Sequence, residues 1–283
     1  MMSISPSSSV QAARRALAAR LGELMRDAGL KGGELSARCG WHPAKTSRIL
    51  NAKVAPSDSD IRAWCEACGV DDQAPDLIAS NRAVDSLYVE WRRITRTGLR
   101  QAQEARVPLY TRTRHFRAYS SRVVPGVLQT REYADALLRT VADVRHTPDD
   151  VEAAVEARLA RSRIVLEGGR RFVAVIEESV LRYRIGDDEV MASQLGHLLR
   201  AMSMPSVSLG IIPFTAARTM WPTETFNLFD DRQAGVELLS AQVTVTAPSD
   251  LALYARTFAR FAGLAVHGSA ARELITAAID TLR

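Results

Sequence analysis

Leu30–Val70 reads LKGGELSARCGWHPAKTSRILNAKVAPSDSDIRAWCEACGV, and this stretch decides how the N-terminal part of the chain folds. Its glycines and capping residues cut it into short helices. A helix over Gly33–Cys39 carries Leu35 inward, and Gly40 makes the tight turn that follows, since glycine enters left-handed backbone without steric penalty. His42 then stands as an N-cap and Pro43 suits the first helical position, so the next helix runs to about Asn51. Ser57 and Asp60 have capping-box spacing and open another helix. Its apolar stripe is Ile61, Trp64, Cys65 and Cys68 at i, i+3, i+4 and i+7, closed by Gly69. Upstream, Leu17, Leu21, Leu24 and Ala28 give a first helix a similar stripe between Ala13 and Gly29. Short helices with a tight glycine turn between the second and third predict a helix-turn-helix domain.

The charge pattern agrees. The 283 residues hold 37 basic and 32 acidic side chains, a net +5. Residues 1–53 carry +6, residues 54–81 carry −5, residues 82–122 carry +7, and the remainder carries −3. The chain has three lysines, Lys31, Lys45 and Lys53, and all lie in the first segment. Positive potential confined to two stretches suits a surface that meets phosphates. The 47% hydrophobic content excludes a mainly disordered chain. No window approaches a membrane span, the Ser-rich N-terminus lacks a signal pattern, and three cysteines are too few for a disulfide scaffold. A cytoplasmic protein is expected.

Leu30–Val70 resembles the xenobiotic-response-element (phage-repressor-like) helix-turn-helix regulators. The matching marks are Glu34-Leu35-Ser36, Gly40-Trp41, Ser47-Arg48-Ile49, Lys53, Pro56-Ser57 and Ala67-Cys68-Gly69-Val70. The resemblance implies that the third helix lies in the major groove of double-stranded DNA. Carried over by position, His42, Ala44, Lys45, Ser47 and Arg48 are the candidates for base or phosphate contact. Lys45 or Arg48 facing a guanine is the pairing that geometry favours. Lys31 and Lys53 are placed for backbone phosphate. Two departures stand out. Lys31-Gly32-Gly33 replaces the Thr-Gln that often opens the second helix. Thr46 sits where the family often has an aliphatic residue, and is expected to weaken the packing of the two helices.

Cys39-x2-His42 and Cys65-x2-Cys68 have zinc-like spacing. Against that, Cys65 and Cys68 lie on the apolar stripe with Ile61 and Trp64, where thiols act as small hydrophobes. No metal and no cofactor is expected.

Beyond this domain, Pro75–Ala105 reads as one long helix with Ile78, Leu87, Trp91 and Ile94 as apolar members and five arginines. Those arginines either touch DNA or a partner, or cover apolar surface with their stems. After Pro108, Phe116–Ser121 leads into a turn over Val123–Thr130. Helices are expected at Arg131–Val141, Pro148–Leu166, Val190–Met202, Ser249–Leu264 and Ser269–Leu282. Strands are expected at Phe172–Glu177, Leu181–Arg184, Val207–Pro213, Thr225–Leu228, Val236–Leu239 and Val243–Thr246. Strands and helices without strict alternation favour α+β. The expected layout is an all-α helix-turn-helix domain (10–74), a long connector helix (75–107) and a C-terminal mixed α+β domain (108–283) that senses an effector or docks a partner.

Val124–Ala134, Glu156-Ala157-Arg158-Leu159-Ala160-Arg161, Glu177-Glu178-x2-Leu181, Gln194-Leu195-x2-Leu198 and Ile212-Pro213-Phe214 resemble the C-terminal domain of many actinomycete regulators of the WhiJ type. That resemblance implies a small companion protein as partner and an antitoxin-like variant of the function. Near the fifth strand relatives often read aromatic-x-Glu, where this chain has Glu237-Leu238-Leu239-Ser240. No catalytic motif is present: there is no Walker loop, G-x-G-x-x-G, H-E-x-x-H or G-x-S-x-G. The histidines (His42, His115, His146, His197, His267) are scattered. Glu177 and Glu178 are adjacent beside a strand and point to opposite faces, so they are poor acid–base partners. One of them is expected against Arg158, Arg161 or Arg163. A DNA-binding homodimer, and not an enzyme, is the expectation.

Overall fold

The computed structural model describes residues 6–83 and 88–282. The chain forms two compact units, residues 1–87 with 246–250 and residues 88–245 with 251–283. The first unit contains α1 (Pro6–Asp27), α2 (Gly32–Arg38), α3 (Pro43–Leu50), α4 (Asp58–Cys68) and α5 (Ala74–Ala83). The expected caps are in place. His42 Nδ1 accepts from the Ala44 amide at 3.2 Å. Ser57 Oγ accepts from the Asp60 amide at 3.2 Å, and Asp60 returns a carboxylate to the Ser57 amide at 3.1 Å. Gly40 ends α2 with φ +68°.

The apolar stripes converge on one core of Leu17, Leu21, Leu24, Leu35, Ile49, Ile61, Trp64 and Cys65, with Ala74, Leu77 and Ile78 from α5. Trp64 is fully buried, and its indole N–H donates to the Leu21 carbonyl at 3.1 Å, so its one polar atom is satisfied. At Gly22, a Cβ would stand 3.3 Å from Leu50 Cδ2, so glycine permits the close approach of α1 to α3. Thr46 corrects the expectation of weak packing. It is buried, and its hydroxyl lies 2.6 Å from Ser36 Oγ while accepting the Trp41 indole N–H at 3.0 Å. Ser36 Oγ also donates to the Gly32 carbonyl at 2.7 Å, so the three polar groups between α2 and α3 are satisfied, and an aliphatic residue at 46 would take the acceptor from the Trp41 indole N–H.

The second unit holds β1 (Tyr88–Glu90), α6 (Trp91–Ile94), α7 (Leu99–Glu104), α8 (Val107–Arg112), β2 (His115–Ser120), α9 (Arg131–Arg145), α10 (Val151–Leu166), β3 (Arg171–Glu177), α11 (Glu178–Arg182), α12 (Asp188–Ala201), β4 (Val207–Ile212), β5 (Phe226–Phe229), β6 (Gln233–Glu237) and β7 (Ala241–Val245). The chain ends with α13 (Pro248–Leu264) and α14 (Gly268–Asp280). The sheet order is β1-β7-β6-β5-β2-β3-β4. β2, β3 and β4 are parallel, and every other neighbouring pair is antiparallel. A mixed sheet with segregated helices is an α+β fold. Alternate residues supply its two faces. Phe116, Ala118, Phe172, Ala174 and Ile176 face one core. Tyr119, Val175, Phe226, Leu228 and Val236 face another, with Phe258 and Phe261 of α13.

Two sequence expectations fail here. The long connector helix is not one element: between residues 74 and 112 the described chain is α5, β1 and three short helices. The break is built. Gly98 has φ +112°, and a Cβ there would meet Asp150 Oδ2 at 2.1 Å. That carboxylate accepts from the Leu99 and Arg100 amides at 2.8 and 2.9 Å and so starts α7 afresh. Of the apolar residues assigned to the connector, Leu87 lies outside the described residues. Second, Leu181–Arg184 is not a strand, because β3 ends at Glu177 and α11 follows at once. Residues 115–120 form the strand β2 beside β3 and β5, which leads into the turn expected over Val123–Thr130.

Candidate nucleic-acid interface

α3 turns Thr46 and Ile49 inward. Ala44, Ser47, Arg48 and Asn51 are exposed at i, i+3, i+4 and i+7, and form the outward stripe of this helix. Ser47 and Asn51 are coupled, since the Asn51 amide donates to the Ser47 carbonyl at 2.7 Å and caps the end of α3. Asn51 was missed from sequence, although its spacing from Ala44 and Arg48 carries the signal. His42 is exposed at the N-terminus of α3, with Nδ1 committed to capping.

Lys45 and Arg48 differ in their surroundings. Lys45 pairs with the Asp60 carboxylate of α4, and its ammonium lies 4.3 Å from the Trp41 ring centroid. Burial opposes ionisation of Asp60, but Lys45 and the Ser57 cap hold its carboxyl below the usual carboxylate range. Arg48 makes no ion pair or side-chain hydrogen bond among the described residues. Its guanidinium, with five donors in a planar fork, is therefore uncommitted. Lys31 precedes α2, where Glu34 accepts from its backbone N–H at 2.7 Å. Lys53 follows Ala52 in left-handed backbone (φ +51°), and its amide donates to the Arg48 carbonyl at 2.9 Å. The side chains of Lys31 and Lys53 are exposed at opposite ends of the α2–α3 pair.

The zinc-like spacings do not assemble. Among the described residues no three His, Cys, Asp or Glu side chains are grouped to hold a metal. Cys65 is fully buried, and Cys39 donates its S–H to the Ala63 carbonyl at 3.4 Å. Burial, then the neighbouring Cys68, pushes both thiols up to about 11, so they stay protonated at neutral pH.

The C-terminal acids also find partners other than those expected. Glu177 accepts from Tyr119 Oη at 2.8 Å and from Arg218 Nη1 at 3.0 Å. Glu178 accepts from Arg182 Nη2 at 2.9 Å and from the Phe214 amide at 2.9 Å. Neither meets Arg158, Arg161 or Arg163. Three arginines of the stretch 82–122 form ion pairs within the second unit: Arg106 with Glu237 (3.0 Å), Arg117 with Asp231 (2.7 Å), and Arg100 with Glu104 (2.7 Å). For Arg106 and Arg117, whose side chains are mostly covered, those contacts favour the packing reading over a DNA face.

The helix pair, its glycine turn and its outward cationic helix define a helix-turn-helix module, the architecture of DNA-binding regulators. Residues 16–77 match the family described as "Helix-turn-helix domain". Residues 107–277, more than half of the chain, match the family described as "Domain of unknown function (DUF5753)", and the chain belongs to that family. No solved structure matches this chain. Among the described residues, no helix is long and apolar enough to cross a membrane.

Proposed function

We propose that this protein is a sequence-specific transcriptional regulator that binds double-stranded DNA as a homodimer, with α3 in the major groove. The observation that carries the reading is the outward stripe of α3 with the uncommitted Arg48 at its centre, flanked by Lys31 and Lys53. Arg48 is the base reader, bidentate to a guanine edge. Lys45 leaves Asp60 to meet a phosphate or base, Ser47 and Ala44 pack on the groove floor, and Lys31, His42 and Lys53 hold the backbone. The C-terminal domain is a binder of an effector or partner, not a catalyst; the engagement of Glu177 and Glu178 in structural ion pairs supports this.

Operator binding titrated at fixed salt tests the assignment. Arg48→Ala is expected to lose about 1–3 kcal/mol and relax preference at one base pair, whereas Lys53→Ala weakens all sequences alike. An unchanged affinity for Arg48→Ala sinks the recognition-helix assignment.

An antitoxin-like variant, in which a small companion protein docks on the C-terminal domain, is supported by large apolar side chains left exposed there: Phe214, Trp221 and Leu239. Co-expression with the protein encoded beside it decides this variant, and failure to co-purify removes it.

A further inference from the structure

The second unit holds a partly open pocket of about 120 Å³ between α10, the 123–129 segment and one face of the sheet. That is room for several waters or a small organic molecule. One wall is aromatic. Tyr110, Phe116 and Phe229 stand with ring centroids 5.3 to 5.9 Å apart. Another wall is cationic, made by Arg106, Arg158 and Arg161, with Glu237 the one carboxylate lining the space.

These arginines are unusual in their partners. Arg106 has the carboxylate: its Nη2 donates to Glu237 at 3.0 Å and to Gln242 at 2.9 Å. Arg158 meets only neutral acceptors, Gln129 Oε1 at 2.6 Å and Gln103 Oε1 at 3.3 Å. Arg161 is 3% exposed, donates from Nη1 to the Gln103 carbonyl at 3.2 Å, and leaves its buried Nε without a partner. Its guanidinium also lies 4.7 Å from the Tyr110 ring centroid. Burial, and Arg161 next to it, pull the Arg158 guanidinium down to about 10. Arg161 is buried, Arg158 beside it is half-buried, and neither forms an ion pair among the described residues; like charges held this close are costly, because they repel strongly once water is withdrawn. Asn227, which lines the same space from β5, has a side-chain amide with no hydrogen bond among the described residues.

We propose that this pocket is a binding site for a small organic anion, a carboxylate or phosphate ester carried on a flat apolar body. The acid group lies between Arg158 and Arg161, taking the free N–H groups bidentately. The body lies against the Tyr110, Phe116 and Phe229 rings, and Asn227 offers the remaining hydrogen bond. Glu237 competes for the same cations and sets the affinity. The proposal deepens the effector arm of the proposed function and rests on it only for the consequence on DNA.

The full chain is titrated by calorimetry and followed by thermal unfolding, without DNA, using benzoate, phenyl phosphate, inorganic phosphate and benzyl alcohol. Benzoate or phenyl phosphate is expected to bind saturably and raise Tm, inorganic phosphate to bind at least about tenfold more weakly, and benzyl alcohol to do neither. Arg158→Met and Arg161→Met each weaken the anion at least about tenfold. Arg158→Met without anion is at least as stable as the parent, since it removes the like charge beside the buried Arg161. Glu237→Gln, at the half-exposed rim, tightens anion binding several-fold, which a purely structural arginine cluster would not do. The site is refuted if neither aromatic anion binds, if benzyl alcohol matches benzoate, or if Glu237→Gln weakens the anion. Refutation here leaves Arg48 and operator binding untouched. Saturable anion binding that leaves operator affinity unchanged instead removes the effector reading and keeps the site.

Discussion

At the scale of single residues, Asp60 shows how one side chain serves both the fold and the interface. It returns the capping hydrogen bond to Ser57, starting α4, and it pairs with Lys45 of α3 across the helix-turn-helix. Its folded pKa lies below the ordinary 3.8. Its contribution to stability is therefore complete above that value and is lost as pH falls through the folded pKa. Asp60→Asn is expected to cost on the order of 0.5–1 kcal/mol near neutrality. Urea unfolding of both proteins between pH 2 and 7 reads this: the gap stays level from 7 to about 5 and narrows below 4. A gap that holds or widens into acid contradicts the pairing. The caps were legible in sequence, because they are local. The Asp60 partner was not, since it depends on how α4 crosses α3. Thr46 was misjudged for the same reason: its partners Ser36 and Trp41 become neighbours only after the turn has formed.

At the scale of elements, the helix-turn-helix was readable because each of its helices carries its own stop and start signals. The stretch 74–112 was not, although Gly98 and Pro108 stand in it as breakers. Apolar residues at helical spacing continue across the break, and the decisive group, Asp150, lies some fifty residues further on. Asp150 caps α7 from the start of α10, so the N-termini of the two helices are fastened together. Asp150→Ala is expected to cost about 0.5–2 kcal/mol, as loss of an N-cap does. Gly98→Ala is expected to cost more, combining left-handed strain with a clash against that carboxylate. Chemical denaturation of the two variants checks the order, and a Gly98→Ala protein as stable as the parent would show that the junction relaxes freely. Leu181-Arg182-Tyr183-Arg184 was mistaken for a strand: it alternates apolar and basic residues, but over four residues periodicity cannot separate strand from helix. The arginines of 100–117 were legible as a charge excess. Their role was not, because Glu237 and Asp231 reach them only through the sheet.

At the scale of the whole molecule, the proposed function asks for more than one chain. α3 is eight residues, about 12 Å long, and reads about three or four base pairs in the groove. A word that short recurs by chance throughout a genome, so one recognition helix cannot give a regulator its specificity. Two copies related by a twofold axis double the readout and make the operator an inverted repeat, with half-site centres about 10 base pairs apart or a multiple of it. This spacing is a rotational constraint as much as a length. Inserting about 5 base pairs between the half-sites turns one of them to the opposite face of the duplex, and is expected to reduce affinity more than tenfold at fixed salt. Inserting about 10 base pairs restores the face and recovers affinity to the extent that the dimer can span the added length. Titrating the full-length protein against the three operators reads both effects together. Equal affinity for all three would mean that each half-site is bound independently, and the homodimer would then have to be given up while the contacts of a single α3 stand.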